Sequence, residues 1–505
     1  ESVRENGVSK HKTILNLSKW KAADVDALDQ SIKGKKGFSL DDVKTKEGAS
    51  IGGLWVMKEI ANRLNITKIL GKSKQAKHAM LLIIGRILTQ GSRLHLCEWG
   101  KLQEIEFAFG IDKYNEDQLY AGLDWLSENQ ERIEKGLFKH RHPEKAPELF
   151  LYDITSSYLE GENNELSAYG YNRDSKKGKK QIVIGLIADD EGVPVGVEVF
   201  EGNRTDSTTV IGEIEKLGNR FGATQFTFVG DRGMLKKGQI DALKDTHHYI
   251  TAITKPQIRS LLKEGTFQMA LFDENVTEIE IEGVRYVTRR NADMADEMKR
   301  TRLSKIDVLN QKITDSNKYL IAHVKAKVET QVKKISKVVS KLKLNQYVSI
   351  TCNSERSIEV KINKEMQKEV EKLDGCYALK TDLSANNMNT ESVHARYKDL
   401  TMIERAFRTM KTTCLEIRPI YVRKESRTRG HVFATMLAYM ITQYFWEKIK
   451  SLGHTLSFSI ECMTDIKTVS LTLGKKTVKQ IPAISQLKSD ILDTLDITLP
   501  KTISL

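Results

Sequence analysis

The stretch Tyr397–Lys411, YKDLTMIERAFRTMK, places the carboxylate of Glu404 among side chains that bind phosphate. On a helix that turns about 100° per residue, four positions fall within about 60° of Glu404: Tyr397, Thr401, Arg408 and Lys411. The simplest explanation is an exposed Glu404–Arg408 ion pair, which contributes roughly a few tenths of a kcal/mol. The alternative is that Glu404 acts with other carboxylates while Tyr397, Arg408 and Lys411 hold phosphates around it.

The apolar residues of this region form a separate stripe, which consists of Leu400, Ile403, Phe407, Met410, Cys414 and Ile417. Such a stripe packs one face of a helix on a core. We therefore expect the face centred on Glu404 to point towards a polar partner.

Two further carboxylates stand in apolar strands. Asp153 lies within ELFLYDI, where a buried carboxylate is unfavourable unless its charge is compensated. Asp231 ends TQFTFVGD, just where the chain turns. Ligand sites in open α/β sheets form at the carboxyl ends of strands, so we expect the two aspartates to meet there. A hard divalent cation would relieve their repulsion, and oxygen ligands suit Mg²⁺ or Mn²⁺.

The positive charge of the chain is concentrated in one block. The formal net charge is +13, and residues 299–343 hold 13 Lys/Arg against 3 acids, an excess of 13 − 3 = +10. A block of one sign repels itself unless a polyanion lies beside it, so we expect DNA or RNA as the partner. The alternative is a solvated helix that only aids solubility.

Composition narrows the class of protein. With 505 residues, 29% charged and 40% hydrophobic, the chain is expected to be soluble, globular and multidomain. The longest apolar run, His431 to Trp446, contains polar residues and is shorter than the roughly 20 residues of a bilayer span, so we expect a buried helix. No signal peptide is recognised. Five scattered cysteines without a CxxC pair favour reduced thiols in the cytosol and argue against a zinc site.

The periodicity predicts the elements that carry these residues. Residues 51–141 are helical and could form a DNA-binding module or a plain packing domain. Five apolar strands with intervening helices follow up to Lys255 and predict an α/β domain with a mixed sheet. A hairpin in VTEIEIEGVRYVTRR and the basic helical block come next, before the strand GCYALKTDL leads back to the Glu404 helix. Residues 256–373 are therefore expected to be an insertion into the α/β domain.

Four stretches resemble one family, the DDE transposases of bacterial insertion sequences that carry a Tyr-Arg-Glu-Lys signature. In the signature Y-x2-R-x3-E-x6-K, Tyr397, Glu404 and Lys411 are in register, but Leu400 stands where the arginine belongs. LYDITSSYLEG resembles the region of the first aspartate, VGDRGM that of the second, and VFEGNRTDSTT the turn before the first helix of the domain. The resemblance covers roughly residues 148–450. Because Leu400 lies at the edge of the apolar stripe, Arg408 is expected to take the place of the missing arginine.

The resemblance implies cut-and-paste transposition on a ribonuclease-H-like fold. Asp153, Asp231 and Glu404 would bind two Mg²⁺ ions roughly 3.5–4 Å apart, with Mn²⁺ as a substitute. The enzyme would cleave at inverted-repeat ends and transfer the 3′-hydroxyl to target DNA, as a homodimer that pairs two ends in the bacterial cytoplasm. The expected DNA-binding residues are Tyr397, Arg408, Lys411, Arg232, Lys333, Lys334, Lys337 and Lys341. A nuclease without strand transfer and an inactive DNA-binding derivative remain as alternatives.

These inferences predict a five-stranded, ribonuclease-H-like mixed sheet, divided by an α+β insertion and preceded by helices. The expected segments are an N-terminal strand and linker (1–50), a helical domain that binds the DNA end (51–145), the first part of the catalytic domain (146–255), the basic insertion (256–373), the second part with Glu404 (374–450), and a C-terminal region (451–505).

Overall fold

The computed structural model describes residues 2–5, 7–11, 13, 16–34, 43–174, 176–243, 247–353, 355–412, 415–473 and 476–503. The strands of these residues are β1 (Ser2–Glu5), β2 (Val8–His11), β3 (Val43–Ser50), β4 (Leu149–Tyr158), β5 (Gln181–Ala188), β6 (Pro194–Glu201), β7 (Thr227–Gly230), β8 (His248–Ala252), β9 (Thr277–Ile281), β10 (Val284–Arg290), β11 (Val348–Cys352), β12 (Ile358–Ile362), β13 (Cys376–Thr381), β14 (Lys467–Leu473), β15 (Lys476–Gln480) and β16 (Thr502–Ile503).

The helices of the same residues are α1 (Ala22–Ile32), α2 (Gly52–Arg63), α3 (Ile66–Leu70), α4 (Lys74–Leu88), α5 (Arg93–Gly100), α6 (Ile105–Phe109), α7 (Glu116–Glu128), α8 (Gln130–Arg141), α9 (Asp206–Phe221), α10 (Lys237–Leu243), α11 (Lys255–Lys263), α12 (Ala292–Ala322), α13 (Val328–Lys341), α14 (Lys364–Glu371), α15 (Thr390–Lys398), α16 (Leu400–Lys411), α17 (Glu425–Ile449), α18 (Leu456–Thr464) and α19 (Gln486–Leu495).

The chain folds into two compact units. The first comprises Glu1–Glu59, His95–Lys113 and Phe445–Leu505, and the second comprises Ile60–Leu94 and Tyr114–Tyr444. An antiparallel sheet in the order β16-β15-β14-β3 belongs to the first unit. All the residues that the sequence singled out for chemistry lie in the second.

The second unit is built on a mixed sheet in the order β6-β5-β4-β7-β8-β13-β10-β9. β7 runs parallel to both β4 and β8, and the other neighbours pair antiparallel. The five strands predicted from residues 146–255 are contiguous in this order. The mixed α/β class is therefore confirmed.

The sheet has eight strands, so the predicted number of five was wrong. β13 pairs with β8, and the hairpin β9–β10 continues the sheet by pairing with the whole of β13. The hairpin turns at Glu282 and Gly283, and both residues have positive φ, of 52° and 75°. Two such residues suit the tight turn whose twist matches that of paired strands.

The central strands are apolar because both of their faces are covered. Every residue of β5 is buried, and so is most of β4. Phe150 and Tyr152 of β4 pack in one cluster with residues of α9 and α10, among them Val210, Leu217 and Leu243. Continuous apolar runs of this kind are typical of strands covered on two sides.

Part of the segment 256–373 has a core of its own. Buried residues of α12 and α13 pack with those of β11 and β12, including Leu309, Ile335, Val339 and Ile358. β11 and β12 form a separate two-stranded sheet. This part resembles the expected insertion, whereas the β9–β10 hairpin is continuous with the main sheet.

The region expected to be one helix from Tyr397 to Lys411 is two helices. α15 ends at Lys398 and α16 begins at Leu400, on either side of Asp399. The Met402 N–H donates to the carbonyl oxygen of Asp399, an i to i+3 bond that tightens the backbone there. α16 nevertheless packs against β4 with its apolar side, since Leu400, Ile403, Phe407 and Met410 are buried. Cys414 lies outside the described residues, and Ile417 is buried beyond the end of α16.

The long apolar run lies in α17, where residues 431–442 are all buried. The expectation of a buried helix is confirmed. In the described part of the chain, we find no helix whose length and hydropathy would let it cross a bilayer.

The burial of Leu400 predicts the effect of restoring the signature arginine. Leu400 is only 8% exposed, so Leu400→Arg should place a charge in the interface between α16 and its core. We expect the free energy of unfolding to fall by about 1–3 kcal/mol, measured by urea denaturation. Thr401→Arg, at the exposed neighbouring position, is the matched control and should change it little. A Leu400→Arg variant of normal stability would contradict this packing.

Candidate active site and basic surface

Parallel pairing of β4 and β7 brings two aspartates side by side. Tyr152 of β4 is in register with Gly230, the last residue of β7. Continuing that register by one residue places Asp153 beside Asp231. The main-chain N–H of Ile154 donates to Asp153 Oδ1 at 2.8 Å, and that of Arg232 donates to Asp231 Oδ1 at 2.7 Å. Their meeting at a strand end is thus a consequence of sheet topology.

Helices α15 and α16 bring Tyr397 and Glu404 to the same place. The hydroxyl of Tyr397 donates to Asp231 Oδ1 at 3.0 Å. Burial raises the pKa of Tyr397, and the negative charge of Asp231 raises it further. Glu404 is exposed on α16, and its charge acts on Asp153. Tyr397 therefore contacts a carboxylate of the cluster, although it was expected to bind phosphate.

The pKa of Asp153 depends on its burial and on the charged groups around it. It is raised to about 7, first by burial and then by the carboxylates of Asp231 and Glu404. The Ile154 N–H and the guanidinium of Arg173 act in the opposite direction. Burial and like charges both disfavour an ionised carboxyl group. Asp231 and Glu404, the other two acids predicted from sequence, are therefore both near enough to influence Asp153.

The donor set suits a hard divalent cation in its chemistry. All three groups offer carboxylate oxygens, the ligands that Mg²⁺ and Mn²⁺ prefer, and the charges of Asp231 and Glu404 add to burial in raising the pKa of Asp153. In the described parts of the chain, no group of three or more His, Cys, Asp or Glu side chains is close enough to hold a metal ion as it stands. A bound ion would have to draw these carboxylates closer together.

Lys411, the last residue of α16, is held by an acid. Its Nζ lies 3.1 Å from Asp174 Oδ1, and Arg418 binds the same oxygen. The main-chain N–H of Tyr158, at the end of β4, donates to Asp174 Oδ2 at 3.2 Å. Asp174 therefore connects the ends of β4 and α16, and Lys411 has a protein partner where a phosphate was expected.

Arg173 is the cation that sequence reasoning missed. It acts on Asp153, and its Nη2 lies 2.7 and 2.8 Å from the two carboxylate oxygens of Asp206, in the first turn of α9. Arg173 and Asp174 lie in the segment between β4 and β5, within NRDSKKGKK. The only signal in the sequence was this cluster of basic residues after the first strand, and it does not indicate which residue turns inward.

Arg408 and Arg232 are both exposed near the acids. Among the described residues, Arg408 forms no ion pair with Glu404, so the simple i to i+4 pair does not explain their spacing. Arg232 follows Asp231, and its charge acts on Tyr397. Both arginines remain candidates for binding phosphate.

The four lysines predicted to bind DNA lie on one face of α13. Lys333, Lys334, Lys337 and Lys341 are all exposed, whereas Ile335 and Val339 of the same helix are buried. Within the described residues, none of the four lysines forms an ion pair. α13 therefore presents these four lysines on one exposed side, which we call the α13 lysine face.

The raised pKa of Asp153 predicts a pH dependence of stability. In the folded protein, the carboxyl group of Asp153 stays protonated up to about pH 7, whereas an Asp in the unfolded chain loses its proton at about pH 4. The stabilising effect of the proton is complete below pH 4 and is lost as the pH rises through about 7. Asp153→Asn, which is always neutral, avoids this loss.

The measurement is urea unfolding of the wild type and Asp153→Asn at about pH 5 and about pH 8. We expect the stability of the variant relative to the wild type to be higher at the upper pH by about 2–3 kcal/mol. A difference that is the same at both pH values would show that Asp153 titrates normally.

The comparison with protein families agrees with these observations. The family model described as "Transposase DDE domain" matches residues 144–441, more than half of the 505-residue chain. A cryo-EM structure of the piggyBac transposase synaptic complex with hairpin DNA shows 8% sequence identity and a TM-score of 0.38, covering 81% of this chain and 78% of that chain. A comparison with curated proteins found no match. On the strength of the family match, this chain belongs to the DDE transposases.

Proposed function

We propose that the protein catalyses cut-and-paste transposition of a bacterial insertion sequence. In this proposal it cleaves DNA at inverted-repeat ends and transfers the resulting 3′-hydroxyl to target DNA. The observation that carries the proposal is that Asp153, within β4, lies in register beside Asp231, just after β7, and that the charge of Glu404 on α16 acts on Asp153. A carboxylate that feels the charges of two others, within a transposase family, is suited to metal-dependent phosphoryl transfer.

The proposed mechanism assigns Asp153, Asp231 and Glu404 as ligands of two Mg²⁺ ions, or of Mn²⁺. When bound, the ions supply positive charge that stabilises the attacking and leaving oxygens. The Tyr397 hydroxyl, at 3.0 Å from Asp231 Oδ1, fixes the orientation of that carboxylate. Arg408 and Arg232, exposed beside the acids, hold the phosphates of the strand that is cut.

We assign the segments of the chain proposed roles that agree with those of the site residues. Residues 146–255 and 374–450 form a ribonuclease-H-like catalytic domain, a proposal that the five contiguous strands β6-β5-β4-β7-β8 support. Residues 256–373 bind the DNA through the α13 lysine face, and residues 51–145 bind the transposon end. Residues 1–50 and 451–505 flank these parts. The active form is a homodimer that pairs two ends, in the bacterial cytoplasm and bound to the nucleoid.

The acid cluster can be tested by removing each carboxylate. Asp153→Ala, Asp231→Ala and Glu404→Ala should each reduce strand cleavage by about a thousandfold or more, because charge at the scissile phosphate is no longer stabilised. DNA binding should persist, since most phosphate contacts lie elsewhere. The assay measures nicked and joined products with Mg²⁺ on DNA that carries the ends of the element.

Glu215→Ala removes an exposed acid of α9 and serves as the matched control with normal cleavage. Near-normal cleavage by any one of the three variants would remove that residue from the proposed site. Cleavage by the wild type without joined products would indicate a nuclease, and binding without cleavage would indicate an inactive derivative.

The α13 lysine face predicts the salt dependence of DNA binding. Changing Lys333, Lys334, Lys337 and Lys341 together to Gln should weaken binding to short duplex DNA. The slope of log affinity against log salt should become shallower by about 0.9 for each phosphate that no longer meets a lysine. Ser336→Gln, at an exposed position of the same helix, keeps the charge and should keep the slope. An unchanged slope in the fourfold variant would show that the α13 lysine face is a solvated surface that does not contact DNA.

A further inference from the structure

A pocket lined by arginines lies beside the segment that follows α16. Its volume is about 340 Å³, and its charged and aromatic lining residues are Arg86, Arg93, Glu416, Arg418, Tyr421 and His431. They come from the end of α4, the start of α5, residues 416–421 and α17. Elements that are distant in the sequence thus turn three guanidinium groups towards one cavity.

Two of these arginines lack an acidic partner. Nη1 of Arg86 donates to the carbonyl oxygen of Gln90 at 2.9 Å, and Nη2 of Arg93 donates to Nδ1 of His431 at 2.9 Å. Among the described residues, neither guanidinium forms an ion pair with a carboxylate. Burial of a charge is unfavourable unless a counter-charge accompanies it.

The electrostatics of the pocket agree with this geometry. Burial and the charge of Arg93 lower the pKa of Arg86 to about 9, although the charge of Glu416 acts in the opposite direction. Burial also lowers the pKa of His431 well below its ordinary value, and the two arginines act in the same direction. His431 is therefore neutral and accepts a hydrogen bond without balancing any charge.

Acidic residues around the pocket balance little of its charge. Within the described residues, Glu416 is the only carboxylate in the lining, and it is exposed. The charge of Glu116 acts on Arg93, and Asp174 binds Arg418. The buried Arg93 and the partly buried Arg86 therefore line the cavity without an ion-paired carboxylate among the described residues.

We propose that this pocket binds a phosphate group. Guanidinium groups match phosphate oxygens with paired, charge-assisted hydrogen bonds, and a bound dianion or diester would supply the missing counter-charge. No part of this proposal depends on DNA cleavage. The phosphate could come from free phosphate or from a DNA strand.

The position of the pocket favours a DNA strand as the source. Arg418 lines the pocket and also binds Asp174, which holds Lys411 at the end of α16. The pocket therefore adjoins the helix that carries Glu404. In the proposed function, a DNA strand that reaches the acids would place another of its phosphates in this pocket. Only the choice of DNA as the source of the phosphate rests on the proposed function.

The first experiment measures binding of inorganic phosphate to the full chain by calorimetry, at constant ionic strength. The wild type should bind phosphate saturably, and Arg86→Gln should weaken it about tenfold or more, since a charged hydrogen-bonding group is removed. Arg132→Gln is the matched control, because Arg132 also donates to a backbone carbonyl, that of Ile69 at 2.7 Å, but lies outside the pocket. It should bind phosphate as the wild type does.

A second variant tests the proposal independently, in case Arg86→Gln misfolds. Tyr421 is 66% exposed and lines the pocket, so Tyr421→Glu should fold and should repel phosphate from the cavity. Loss of phosphate binding in this variant supports the proposal even if Arg86→Gln is unstable. Equal losses in Arg132→Gln and Arg86→Gln would overturn it.

The second experiment identifies the source by measuring the salt dependence of binding to short duplex DNA. A slope that becomes shallower by about 0.9 in Arg86→Gln would assign a DNA phosphate to the pocket. Saturable phosphate binding with an unchanged slope would assign a free phosphate or a phosphorylated small molecule. No saturable phosphate binding by the wild type, together with an unchanged slope, would overturn the proposal. These readouts do not need cleavage, so an inactive enzyme would leave the pocket's assignment standing.

Discussion

The parallel pairing of β4 with β7 is the constraint on which the site depends. It places Asp153 and Asp231 next to each other at a strand end, where two carboxylates repel one another. A fold that served stability alone would have no reason to keep this arrangement, because apolar residues would pack there without cost. The neighbouring groups can be understood as responses to it. Main-chain N–H groups, the Tyr397 hydroxyl and the charge of Arg173 each offset part of the negative charge.

Asp174, which lies outside the acid cluster, binds two cationic side chains. It receives a main-chain N–H from the end of β4 and binds both Lys411 and Arg418. The side chain of Asp174 is only 2% exposed, so it gains its partners in a site of low dielectric, where unpaired charge is costly. Removal of Asp174 would leave two cations without a partner and would loosen the end of α16. The carboxyl end of α16, the helix that carries Glu404, is therefore fixed by the ion pair between Lys411 and Asp174, which lies outside the acid cluster.

Charge is segregated in the second unit, and this separation has a physical consequence. Negative charge is concentrated around Asp153 of β4 and Asp231 just after β7, whereas positive charge lies on the exposed side of α13 and around Arg86 and Arg93. A polyanion would be attracted to the basic surfaces and repelled by the acids unless cations accompany them. Binding of nucleic acid and of divalent cations is thus expected to be coupled.

The sequence by itself determined the features that depend on local pattern. Apolar strands with Asp153 and Asp231 at informative positions, the burial of Leu400 and the exposed lysines of α13 all follow from periods of two or 3.6 residues. Only the tertiary structure decided that eight strands join, that Asp174 takes Lys411, and that Arg86 meets Arg93 and His431. These contacts join residues far apart in the chain, and periodicity carries no information about which loops and helix ends will meet.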